Sequence, residues 1–155
     1  MRSMFISLML GLTALAGGAI AKPAGMEVQG AWIRATPPGA PTAAGYLSIT
    51  NHGPTTDRLT GGHSIVAQSV EVHEMSMAGG MMRMHAIPGG LAIGASATVK
   101  LSPSGDHLMF IGLKGPLKVG QHVKVTLDFT RSGPVVVDFP VRADAPAGGM
   151  AGMHM

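Results

Sequence analysis

Apolar and polar residues alternate along most of the chain, in short stretches separated by Gly and Pro. Stretches with this period-two pattern or with many β-branched residues are typical of strands, and they span 27–34, 44–51, 64–75, 81–87, 96–102, 107–113, 122–129 and 134–141. Turn-forming residues separate them, as in 35–43 and 52–57. No stretch has the 3.6-residue period of an amphipathic helix. The pattern therefore predicts an all-β Greek-key β-sandwich.

The two ends of the chain depart from this pattern. Arg2, an apolar run and the small-x-small sequence Ala19-Ile20-Ala21 predict a signal peptide, residues 1–21, that is cleaved on export. The apolar run is short for a membrane span and the sequence has no Cys to carry a lipid, so no stable membrane anchor is expected. An uncleaved N-terminal anchor is the alternative. Residues 22–141 then form one β domain, and 142–155, rich in Ala and Gly, form a flexible tail.

Composition excludes several classes of function. The absence of Cys rules out a thiolate nucleophile, a CxxC redox pair, a cysteine-ligated iron–sulfur cluster and a blue-copper centre. Without Arg2 the net charge is only +2, Lys and Arg form no run, and aromatic residues are few. Nucleic-acid binding is therefore not expected.

Methionine and histidine are concentrated in HEMSMAGGMMRMH, which runs from His73 to His85 and contains five Met. Its central Ala-Gly-Gly turn predicts a hairpin, which would bring His73 and Met84 together. His107 and Met109 lie two residues apart in a later strand, hence on one face with Cα atoms about 6.5–7 Å apart. The sequence thus predicts a site of two imidazoles and two thioethers: His73, Met84, His107 and Met109.

This set of side chains favours a soft metal ion. Mg and Ca prefer oxygen ligands, and Zn prefers Cys, His and carboxylate, whereas thioethers select Cu(I). A thioether also needs no deprotonation, so half of the ligand set stays available at mildly acidic pH.

Each residue also has an ordinary interpretation when taken alone. An isolated strand His is usually solvated or hydrogen-bonded, as expected for His52, His63 and His122, and a lone Met109 would be a core filler. His85 alternates away from Met84. The other hairpin methionines are interpreted as an apolar rim around the site or as occasional ligands: Met75, Met77, Met81 and Met82.

The arrangement resembles the motif of the PCu(A)C family of copper chaperones, in which His, about ten residues, Met, about twenty-one residues and His-x-Met follow one another. Here ten residues separate His73 from Met84, and twenty-two, one more than in the motif, separate Met84 from His107. The likeness covers about 27–141 and includes AWIRATPPGAPTAAGYLSITN and LSPSGDHLMFIGLKGPLKVGQHVKVTLDF.

The resemblance implies a cupredoxin-like β-sandwich that binds one Cu(I) through His73, Met84, His107 and Met109. It implies a periplasmic metallochaperone, not an enzyme, that delivers copper toward the Cu(A) centre of cytochrome c oxidase subunit II, often alongside Sco-type proteins. A periplasmic copper-sequestering protein with the same ligands is the alternative. A redox enzyme or electron carrier is less favoured, because two His and two Met stabilise Cu(I) and no open coordination position or acid–base pair is evident. A purely structural β-domain is the last alternative, and it would leave the methionine-rich hairpin unexplained.

The tail contains a second small cluster, Met150, Met153, His154 and Met155. One hypothesis is an auxiliary metal-capturing arm that holds copper there, with Cu(II) bound through His154. The alternative is a tail without function.

Overall fold

The computed structural model describes residues 25–143, which form β-strands and turns with no helix among them. The prediction of an all-β chain is therefore confirmed. Ten strands follow one another: β1 (Met26–Arg34), β2 (Thr42–Asn51), β3 (Asp57–His63), β4 (Ser69–Ala78), β5 (Met81–Ala86), β6 (Leu91–Ile93), β7 (Thr98–Leu101), β8 (His107–Ile111), β9 (His122–Phe129) and β10 (Gly133–Arg142).

The strands form one mixed sheet that curls until it meets itself. Its order is β5-β4-β8-β2-β1-β10-β9-β3-β6, with β7 paired to β2. β1 and β10 run parallel, while the other pairs are antiparallel. A pairing of Gly62 in β3 with Val70 in β4 closes the circuit. β5 remains at one end of the sheet order, attached only to β4 in the described residues.

Alternation along the strands fills the interior and fixes the direction of every other side chain. In β8, Leu108 and Phe110 are fully buried, and the ring of Phe110 packs edge-on against Phe139 at 6.3 Å between centroids. A register slip of one residue would turn these side chains outward. The same packing therefore holds His107 and Met109 on the outer face of β8.

Two strands were missing from the sequence prediction. β3 contains Gly61 and Gly62, which interrupt its apolar pattern, and β6 is only three residues long. Both glycines of β3 meet neighbouring backbone closely, since a Cβ on Gly62 would lie 2.4 Å from the Thr126 carbonyl oxygen. The glycines are there because β4 and β9 approach from both sides, a constraint that appears only in the folded chain.

The strand predicted at 64–75 begins later, at Ser69. Residues 64–68 form a turn in which Ile65 is exposed, so the apolar Ile-Val pair at this point does not mark a strand. The two arms of the predicted hairpin are present as β4 and β5.

Asp57 fastens the start of β3 to the turn between β9 and β10. Its buried carboxylate accepts hydrogen bonds from the backbone N–H groups of Arg58, Arg131 and Ser132 and from the Ser132 hydroxyl. Burial alone would raise the pKa of Asp57, but the hydrogen bonds from Ser132, Arg131 and Arg58 together hold that pKa below its ordinary value.

Candidate metal centre

Two histidines from different parts of the chain become direct neighbours. In the β4–β8 pair, His73 lies opposite His107. Their ring centroids are 6.0 Å apart and the planes are tilted by 47°. Because a metal–imidazole bond is about 2.0–2.1 Å long, this separation leaves room for one ion between the rings.

His107 is buried, with 4% of its surface exposed, and one of its ring nitrogens is held by the backbone. Nδ1 lies 3.1 Å from the carbonyl oxygen of Gly105. A carbonyl only accepts, so Nδ1–H donates and the neutral ring keeps its lone pair on Nε2. Gly105 is itself fixed by a turn in which its N–H donates to the Ser102 carbonyl. The turn before β8 therefore selects Nε2 as the free nitrogen of His107.

In His73 the hydrogen-bonded ring nitrogen is Nε2 instead of Nδ1. Its side chain is 15% exposed, and Nε2 lies 2.9 Å from Oε2 of Glu71. A carboxylate oxygen accepts this bond, so Nε2–H donates and Nδ1 keeps the lone pair. Metal-binding histidines commonly donate their second ring N–H to a carboxylate or a carbonyl. His73 and His107 each have such an acceptor, and within the described part of the chain the second nitrogen of each ring is unpartnered and can bind an ion.

The two predicted methionines lie on the same face of the sheet as these histidines. Met109 follows His107 by two residues in β8 and lies opposite Glu71. Met84 lies in β5 opposite Met75, one diagonal step from His73, whose own partner is Ala86. Met109 is half-buried and Met84 is 56% exposed. The four predicted residues thus share one face of β5, β4 and β8, graded from a buried His107 to an exposed Met84.

Two residues lie beside the site: Glu71, which has no role in the sequence prediction, and Met75, which the sequence assigns to the apolar rim or to occasional ligation. Glu71 lies two residues before His73, and this spacing places them on one face of a strand, but the hydrogen bond between them depends on rotamers. Met75 shares that face and pairs with Met84. Met81, which the sequence grouped with the rim, lies instead opposite Ala78 on the other face of the hairpin.

The remaining histidines of the described chain lie away from this face, each beside a carboxylate. His85 pairs with Glu74 on the opposite face of the hairpin at 2.8 Å. The other pairs are His52 with Glu27, His63 with Asp128 and His122 with Asp138.

Within residues 25–143, no three His, Cys, Asp or Glu side chains are placed to hold a metal ion together. No helix in the same range is long and apolar enough to cross a membrane. The predicted signal peptide and the auxiliary cluster of Met150, Met153, His154 and Met155 lie outside the described residues.

Solved structures with a similar fold include PCuAC domains. The copper-bound PCuAC domain from PmoF2 superposes with a TM-score of 0.64 at 24% identity, over 77% of this chain and 93% of that one. The Cu(I)-bound DR1885 of Deinococcus radiodurans gives a TM-score of 0.63 at 35% identity, over 83% of this chain and 84% of that one. These neighbours have cupredoxin-like β folds, so the predicted fold class is confirmed.

Sequence comparison gives the same assignment. The family model described as LpqE-like matches residues 26–141. A relative from Leifsonia xyli subsp. xyli, "Putative lipoprotein Lxx21020", is 35% identical over 118 residues, which cover 76% of this chain and 70% of that protein. The chain therefore belongs to the LpqE-like family, and the resemblance to PCu(A)C copper chaperones is confirmed.

Proposed function

We propose that this protein is an exported copper carrier that binds one Cu(I) ion through His73, His107, Met84 and Met109. The observation that carries the proposal is the pair of adjacent imidazoles, His73 and His107. Each donates one ring N–H to an acceptor, and the other ring nitrogen has no hydrogen-bond partner among residues 25–143. Thioethers on the same face complete a neutral, soft donor set, which favours Cu(I) over harder ions.

The gradient of burial across the site suits a carrier. His107 is fixed by its turn and by burial, whereas Met84 is exposed on a strand at the end of the sheet order. An acceptor protein can approach Met84 and replace it by one of its own ligands while His107 still holds the ion. Stepwise ligand exchange of this kind transfers the ion without leaving it free in solution.

Competition with a chromophoric Cu(I) chelator under anaerobic conditions tests the site. Loss of a residue that only supports a metal ligand typically costs about 10-fold to 100-fold in affinity. Met84→Ala and His107→Ala each remove a direct ligand, so each should lower the Cu(I) affinity by more than that. Met81→Ala and His85→Ala are matched controls, since Met81 and His85 lie in β5 on the opposite face. Wild-type affinity in both Met84→Ala and His107→Ala would refute the site.

The acceptor is the second part of the proposal. We infer delivery in the periplasm toward the Cu(A) centre of cytochrome c oxidase subunit II, directly or through a Sco-type protein, as the family resemblance implies. Mixing the Cu(I)-loaded protein with a reduced apo Cu(A) domain, with and without a Sco-type protein, and then adding a one-electron oxidant should produce the absorption bands of the mixed-valence Cu(A) centre. A protein that binds Cu(I) tightly but yields no copper to either acceptor would instead be a sequestering protein. Comparing the full chain with a chain that ends at residue 141 would show whether the tail cluster contributes.

A further inference from the structure

The methionines that lie beyond the proposed site are arranged by a precise hairpin register. β4 and β5 are joined by Gly79 and Gly80, whose φ angles of 59° and 76° are both positive. A two-residue loop with positive φ at both positions is a type I′ turn, which fixes the pairing of the strands on either side. The register that follows pairs Met77 with Met82 and Met75 with Met84.

These four methionines lie on one face of the hairpin. Residues directly opposite each other share a face, and residues two apart in one strand do as well. The face that carries His73 therefore continues outward with Met75, Met77, Met82 and Met84. The other face carries the pairs Glu74–His85 and Ser76–Arg83, with Met81 beside Ala78. Four of the five hairpin methionines thus share one face, although this face is not part of the hydrophobic core.

Met77 and Met82 are too exposed to act mainly as packing residues. Met77 is 66% exposed and Met82 is 58% exposed, so neither contributes much to packing within the described chain. Cross-strand neighbours have Cβ atoms about 4.5–5.5 Å apart, and a methionine sulfur lies only two atoms beyond Cβ on a flexible chain. The sulfurs of Met75, Met77 and Met82 can therefore converge on a single point above the hairpin.

We propose that Met75, Met77 and Met82 form a second, thioether-only site for a soft monovalent ion, Cu(I) or its analogue Ag(I). Three neutral sulfur donors exclude hard cations and need no deprotonation. This site lacks an imidazole, so it binds more weakly than the proposed site at His73 and His107. Met84, the cross-strand partner of Met75, lies between the two sites. An ion can move from one to the other by exchanging ligands, with no change of oxidation state.

The inference rests on the proposed function for the identity of the ion, but its test is independent of it. The full chain is labelled with ¹³C in the methionine methyl groups and titrated with Ag(I), which is not oxidised in air. We expect the Met77 and Met82 methyl signals to shift after those of Met84 and Met109, and the Met81 signal to stay in place. Because the signals are resolved by residue, binding by the tail methionines does not confuse the result.

Variants separate the two sites. A Met77→Leu, Met82→Leu double variant keeps the apolar volume, so its fold is retained. This variant should no longer bind the second Ag(I) ion, whereas the methyl signals of Met84 and Met109 should still shift. Met81→Leu is the matched control on the opposite face and should behave as the wild type. In a His73→Ala, His107→Ala double variant, the shifts of Met77 and Met82 should persist.

Two results would overturn the second site. One is that Met77 and Met82 remain unshifted after several equivalents of Ag(I). The other is that their shifts occur only together with that of Met84 and vanish in the double histidine variant, which would make them outer parts of a single site. A wrong assignment of the site at His73 and His107 would give a different result: the Met84 and Met109 methyl signals would not be the first to shift.

Discussion

Glu71 offers a quantitative test of the electrostatics at the proposed copper site. Its Oε2 lies 2.9 Å from Nε2 of His73. The width of the imidazole ring and a metal–nitrogen bond of about 2.0–2.1 Å would place an ion on Nδ1 roughly 7 Å from the carboxylate. The attraction between two unit charges at ~7 Å is about 0.6 kcal/mol in water and about 2.4 kcal/mol at an effective dielectric constant of ~20. The Glu71 side chain is 43% exposed, so the value for this pair lies between these limits.

Glu71→Gln removes the charge and keeps the shape, so it isolates this contribution. The two limits correspond to a loss of Cu(I) affinity between about 3-fold and about 50-fold. The assay is chelator competition at low ionic strength, repeated at high salt, where screening should narrow the difference. Glu74→Gln is the control, because Glu74 pairs with His85 on the opposite face of β4 and β5. If Glu71→Gln bound Cu(I) as tightly as the wild type at low salt, the assigned geometry of His73 would be wrong.

Two further predictions concern the scaffold. Asp57→Asn should lower the free energy of unfolding at pH 7 by about 2–3 kcal/mol, since the carboxylate accepts several hydrogen bonds. Because the folded state lowers the pKa of Asp57, its stabilisation is present above the unfolded pKa and is lost as pH falls through the folded value. Urea unfolding should therefore show the gap between wild type and variant closing in acid, and a gap that widened would contradict this sign. Gly62→Ala should destabilise by about 1–3 kcal/mol, because its Cβ would collide with the Thr126 carbonyl. Thermal melting should show a lower Tm, whereas Gly115→Ala, where a Cβ meets nothing within 4 Å, should melt as the wild type does.

The sequence predicts the strands and the hairpin that carry the site, but not which residues of β4 and β5 lie opposite each other. Alternation alone placed His107 and Met109 on one face, since Leu108 and Phe110 must be buried. The hairpin was also predictable from its glycines, but its pairing depends on the length of the loop. A three-residue loop over 78–80 would have set His73 opposite His85. The two-residue loop of Gly79 and Gly80 sets it opposite Ala86 instead.

Other features depend on contacts that no local pattern encodes. His73 and His107 are neighbours because β4 pairs with β8, although the two histidines are more than thirty residues apart in the sequence. The bond from Glu71 to His73 depends on two side-chain rotamers. β3 was missed because Gly61 and Gly62, which weaken a strand in isolation, are needed where neighbouring backbone comes close.

The outer half of the β4–β5 hairpin has a consequence for the energetics of metal capture. Beyond His73, β4 pairs only with β5 in the described registers, so residues 74–85 form a two-stranded ribbon. Such a ribbon is marginally stable by itself, and its amides should exchange with solvent through local opening well below the global unfolding free energy. An ion bound to side chains of both β4 and β5 would hold the two strands together, and part of the binding free energy would be used to order the ribbon. Protection of the Met77 and Met82 amides against hydrogen exchange would then rise when metal binds, so this segment would be more ordered in the metal-bound protein than in the metal-free protein.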